Sequence, residues 1–171
     1  MRRWLTLVLA AVFAIGVIAV AANASSRGSS GGTMLEFRTM APVTGPFVGS
    51  ANPIRGINGG GLPWQIEKAN GELRSDGRLE VRVKGLVLLA GDPVPAPLQG
   101  TNPIPNFQAV VSCMTIVNGV AATTNVSSGP FHATPLGNSK IEANVSLPSP
   151  CIAPVVFVGP SPTVWFAATG N

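Results

Sequence analysis

Along most of this chain apolar and polar residues alternate with a period of two, the spacing of strands that turn one face to a core and the other to water. Leu79, Val81 and Val83 alternate with Glu80, Arg82 and Lys84, and Ile141, Ala143, Val145 and Leu147 with Glu142, Asn144 and Ser146. Leu35 and Phe37 likewise alternate with Glu36 and Arg38. Asp76-Gly77 suits the positive φ values of a two-residue type I′ turn and predicts a hairpin. Its incoming strand is expected to begin at Trp64, where Trp64 and Ile66 share a face, and to run unevenly to Leu73 with a bulge or turn at Asn70-Gly71. A second hairpin is predicted at Asn118-Gly119, joining Phe107–Val117 to Val120–Ser127. In its first strand Phe107, Ala109, Val111 and Cys113 line one face while Val110, Met114 and Ile116 line the other, so both faces are expected to be covered. Val155–Val158 and Val164–Ala168 complete the predicted strands, separated by a turn from Gly159 to Pro162.

One stretch breaks the alternation. Arg2 and Arg3 lead into an apolar run from Trp4 to Ala22 that ends in Ala22-Asn23-Ala24, the small-residue pattern read by signal peptidase. Residues 1–24 are therefore expected to be a signal peptide, cut so that the mature chain begins at Ser25. The alternative is an N-terminal membrane anchor, because the run from residue 4 to 22 is long enough to span. Both place the remainder outside the cytoplasm. Residues 25–33, rich in Ser and Gly, are expected to form a flexible linker, and residues 34–171 a single domain.

Proline and glycine decide the class. The 16 prolines and all but one of the 20 glycines follow the leader and leave no room for helices of ordinary length. Some seven to nine short strands with turns between them predict an all-β fold, an antiparallel two-sheet β-sandwich. In an exported chain, Cys113 and Cys151 permit a single intramolecular bond. A bridge between a central strand and a later one resembles immunoglobulin-like sandwiches in architecture, over Phe107 to Ala168. No Trp follows closely on Cys113 and the chain lacks Tyr, so neither of that fold's Trp and Tyr hallmarks is present.

Charge narrows the function. Arg2 and Arg3 supply half of the formal net charge of +4. The remaining cations are scattered, and Arg78 to Lys84 is the outward face of a strand, so no nucleic-acid partner is expected. Zinc and blue-copper sites require several His or Cys ligands, whereas His132 is the sole histidine. A copper site built from Met34, Met40, Met114 and His132 has no supporting spacing, and no metal or other cofactor is expected. A hydrolase would have to use His132 as its base with Asp76 or Asp92. No G-x-S-x-G elbow is present, both aspartates suit turns, and Glu67, Glu72, Glu80 and Glu142 read as solvated strand positions rather than a glycosidase pair. Gly59-Gly60-Gly61 lacks the Lys-Ser or Lys-Thr of a phosphate loop.

Two long loops stand out, Gly49–Pro63 and the proline-rich Gly91–Asn106. The first places Arg55 and Asn58 among glycines ahead of Trp64, and these three are the expected ligand-binding residues. The expected function is a non-catalytic binding or structural surface module with an undefined ligand or surface partner and no membrane contact after cleavage. The alternative is a secreted hydrolase or metal-dependent enzyme using His132.

Overall fold

The computed structural model describes residues 31–170. The predicted leader, with its cleavage site or anchor, lies outside the described residues. The described chain is all-β with several antiparallel sheets. Its strands are β1 (Thr33–Phe37), β2 (Ala41–Pro42), β3 (Asn58–Gly59), β4 (Trp64–Gln65), β5 (Lys68–Arg74), β6 (Arg78–Lys84) and β7 (Val87–Leu88). They continue as β8 (Asn106–Val117), β9 (Val120–Ser127), β10 (Phe131–His132), β11 (Ser139–Asn144), β12 (Ile152–Gly159), β13 (Val164–Trp165) and β14 (Ala167–Ala168).

Strands β1, β5, β6 and β11 form a four-stranded antiparallel sheet in that order. A six-stranded sheet runs β10-β8-β12-β14-β2, with β9 also paired to β8. Two small ladders, β13 with β3 and β4 with β7, tie down the connections. One hydrophobic cluster draws on both large sheets. Leu73, Leu79, Val81 and Ile141 come from the first, and Phe107, Ala109, Val111, Val156 and Val158 from the second.

Both predicted hairpins form, and positive φ at both Asn118 and Gly119 fits the type I′ turn. At the other only Gly77 has positive φ, and its N–H donates to the Arg74 carbonyl at 3.0 Å, so Ser75-Asp76-Gly77 is a three-residue connection rather than the expected two-residue type I′ turn. Asn70-Gly71 is neither a bulge nor a turn. Strand β5 alternates buried and less buried positions without interruption through it. Gly71 lies opposite Phe37 and Val81, and a Cβ there would overlap the Phe37 ring and the Glu80 carbonyl. The glycine is thus needed for close packing, not for a change of direction.

The strand expected from Trp64 to Leu73 is two strands, β4 and β5, because the Trp64 indole turns into the core and β4 pairs with β7. Similarly, Val164–Ala168 is shared between two ladders: β13 pairs with β3, and β14 with β12 and β2.

Cys113 and Cys151 are disulfide-bonded. Cys113 lies in β8 and Cys151 immediately precedes β12, the antiparallel neighbour of β8. The bridge therefore joins adjacent segments at one sheet, not two sheets as in the immunoglobulin pattern. The bond appears where expected; the architectural likeness drawn from it does not hold at this point.

Candidate functional site

Each residue expected to bind a ligand is engaged within the chain. Trp64 is buried, its indole stacked on Phe166 with ring centroids 3.8 Å apart and edge-on to Phe107 at 6.4 Å. Asn58 belongs to β3, and its N–H donates to the Thr163 carbonyl at 2.9 Å. Arg55 has a φ of 50° and reaches over the six-stranded sheet. Its Nη1 donates to the Ser112 carbonyl at 3.0 Å and its Nη2 to the Ala153 carbonyl at 2.8 Å.

A local irregularity explains that staple. Between Ile152 and Val155, strand β12 carries one residue more than the facing stretch of β8. Ala153 adopts positive φ, and Pro154 has no N–H to offer a ladder. Arg55 supplies the donors that the interrupted ladder lacks, and Asn125 Nδ2 closes the arrangement by donating to the Arg55 carbonyl at 3.1 Å. The segment 49–63 is thereby fastened across β9, β8 and β12.

The proline-rich loop is fastened in a comparable way. Buried Asn102 donates through Nδ2 to the carbonyls of Ile104 and Thr134, at 2.8 and 2.9 Å. Its Oδ1 accepts from the Ile104 N–H at 2.9 Å, a local turn held by one side chain. His132 is exposed in β10, and its imidazole has no hydrogen-bond partner among the described residues. Asp76 instead serves the β5–β6 turn, where its carboxylate accepts from the N–H groups of Arg78 and Gly31. The Arg78 N–H foremost holds its pKa below the ordinary value of 3.8; desolvation opposes it, and the Gly31 N–H and the charges of Arg78 and Arg74 add to the lowering. Among the described residues no three His, Cys, Asp or Glu side chains are grouped so as to hold a metal ion.

What the structure brings together is charge on one sheet and its absence on the other. Register sets Glu36, Glu72, Glu80 and Glu142 in one row across the four-stranded sheet. Like charges directly opposite one another are unfavourable. Each glutamate, however, forms an ion pair with a cation two residues away along the chain: Arg38, Arg74, Arg82 and Lys140 respectively.

No Asp, Glu, Lys or Arg occurs in any strand of the six-stranded sheet. From Phe107 to Cys113 every residue of β8 is buried. Past the end of β12, the β8–β9 hairpin continues as an arm with no further strand beside it among the described residues. On it Met114, Ile116, Val117 and Val120 are 47 to 68 % exposed, and Ile152 beside Met114 is 52 % exposed. These five are most of the exposed large hydrophobics among the described residues, the others being Phe47 and Leu136. Register puts Met114 and Ile116 on one face of the arm and Val117 and Val120 on the other. Withdrawing one such side chain fully from water contributes roughly 1.5–3 kcal/mol.

Sequence reasoning placed Met114 and Ile116 on a strand face that it expected to be covered, and did not single out Val117, Val120 or Ile152. The available signal was the absence of charge on both sides of Asn118-Gly119. Comparison of the chain with protein-family models, curated proteins and solved structures gives no match.

Proposed function

We propose that this chain is an exported, non-catalytic binding or structural surface module, built as a β-sandwich, that meets its partner through the β8–β9 arm. The observation that carries this reading is the concentration of exposed Met114, Ile116, Val117, Val120 and Ile152 at one end of strands that carry no charged residue. The leader-like segment before Ser25 and the Cys113–Cys151 bond support export to an oxidising compartment. A common core drawn from both large sheets supports the sandwich. The residues first expected to bind, Arg55, Asn58 and Trp64, fasten and fill the molecule, which leaves the arm as the better contact surface.

Photocrosslinking in the producing cells tests this assignment. A photoactivatable phenylalanine analogue placed at position 120 should give covalent adducts, whereas the same group at position 80, on the charged sheet, should give none. Adducts from position 80 alone, or from neither position, would remove the arm as the contact element.

A further inference from the structure

We infer that the arm's partner is a second copy of this chain, added edge to edge along β9. The inference rests on the arm being the contact surface and adds what occupies it. Because Val117 and Val120 flank a two-residue turn, they form a hydrogen-bonded pair, and such pairs alternate along β8 and β9. The N–H and C=O groups of Ala121, Thr123, Asn125 and Ser127 consequently point away from β8. Those backbone groups have no hydrogen-bond partner among the described residues.

The other outer strands of the two large sheets show why this edge differs. Strand β1 carries Glu36 and is followed by Arg38, and β11 carries Lys140 and Glu142. Strands β2 and β10 are each two residues long, and β2 includes Pro42. Charge, proline and brevity are the ordinary devices against strand addition. Strand β9 has eight residues, no charge, no proline and no register shift along its pairing with β8. It is open to a strand that is itself uncharged and exposed.

A second β9 meets that requirement. Antiparallel pairing about Thr123 aligns the free backbone groups of Ala121 in one copy with those of Asn125 in the other. It also sets Val120 of one copy opposite Val126 of the other, covering the most exposed residue of the arm. No charges are opposed in this arrangement. The ion-paired rows remain on the other sheet of each copy, away from the shared edge. Such a two-fold contact is self-complementary and closed, extending two six-stranded sheets into one.

Sedimentation of protein purified from cells expressing the full chain tests the inference. A concentration-dependent dimer is expected. Thr123→Lys should weaken it roughly tenfold or more, and Thr123→Pro, which removes an outward N–H, should do the same. Near-UV circular dichroism should stay at the parent's level in at least one of these two variants. Thr123→Cys should yield a covalent dimer on mild oxidation.

A monomer at every concentration would overturn the inference. So would a dimer that is indifferent to the Lys and Pro substitutions and that Thr123→Cys fails to link covalently. If the monomer binds phosphatidylglycerol vesicles through the arm, or if position 120 crosslinks to a different protein, the second copy is excluded while the arm remains the contact surface. A monomer with no crosslinks from position 120 would remove both readings.

Discussion

The outer face of the four-stranded sheet and the β8–β9 arm both meet water, yet they do so by opposite means. On the sheet, Glu72, Glu80 and Glu142 alternate with buried Leu73, Leu79 and Ile141, and each carboxylate has a cation beside it. On the arm, both faces are apolar and, among the described residues, no strand lies beside either edge of its outer end. A solvated β surface announces itself by alternation. An exposed apolar arm looks in sequence like a buried strand until its cover ends.

The sharpest test of this contrast compares two large apolar side chains. Trp64→Ala removes an indole stacked on Phe166 in the core and should lower the unfolding free energy by about 3–5 kcal/mol. Ile116→Ala, on the arm, should stay within about 0.5 kcal/mol in the monomer. Denaturant titration at low protein concentration measures both. Similar losses for the two variants would mean that the arm is packed, and a small loss at Trp64 would return that residue to the surface.

Strand β8 also shows why the fold was more legible than the site. Val110 and Ile116 share a residue class and a face of the strand, but Val110 is 1 % exposed and Ile116 is 56 % exposed. Nothing in their own positions separates them. The difference lies in where β12 stops and how far segment 49–63 reaches, and both are long-range facts. Local chemistry sufficed for the two hairpins, the all-β class and the disulfide. It misread Gly71, whose need for space comes from Phe37 on another strand, and Trp64, whose partner Phe166 lies about a hundred residues away in sequence.

Arginines extend the comparison at a smaller scale. Arg55 bonds two carbonyls of the uncharged sheet and is part-buried, whereas Arg38 pairs with Glu36 with 88 % of its own side chain exposed. Arg55→Ala leaves two carbonyls at an interrupted ladder without their donor and should cost about 1–2 kcal/mol. Arg38→Ala removes an exposed ion pair and should cost about 0–0.5 kcal/mol. Thermal or denaturant melting of the two variants reads the difference. Equal costs would show that the Arg55 bonds do not hold segment 49–63 in place.

The smallest expected effect distinguishes the regions by pH. Asp76 caps the β5–β6 turn and has its pKa lowered mainly by the Arg78 N–H, with help from Gly31 and the adjacent arginines. A carboxyl group lowered on folding stabilises the native state fully above its unfolded value, near 3.8, and loses that contribution as the pH falls through the folded value. Asp76→Asn keeps a residue suited to the turn while removing the charge. The variant should therefore melt slightly below the parent near neutral pH, and the gap should close below about pH 4. Ile116→Ala serves as the reference, because the arm has no titratable side chain and its small effect should not vary over that range. An Asp76→Asn gap that persists unchanged into acid would assign the effect to turn shape rather than charge, and the charged sheet would then lose its distinguishing response to pH.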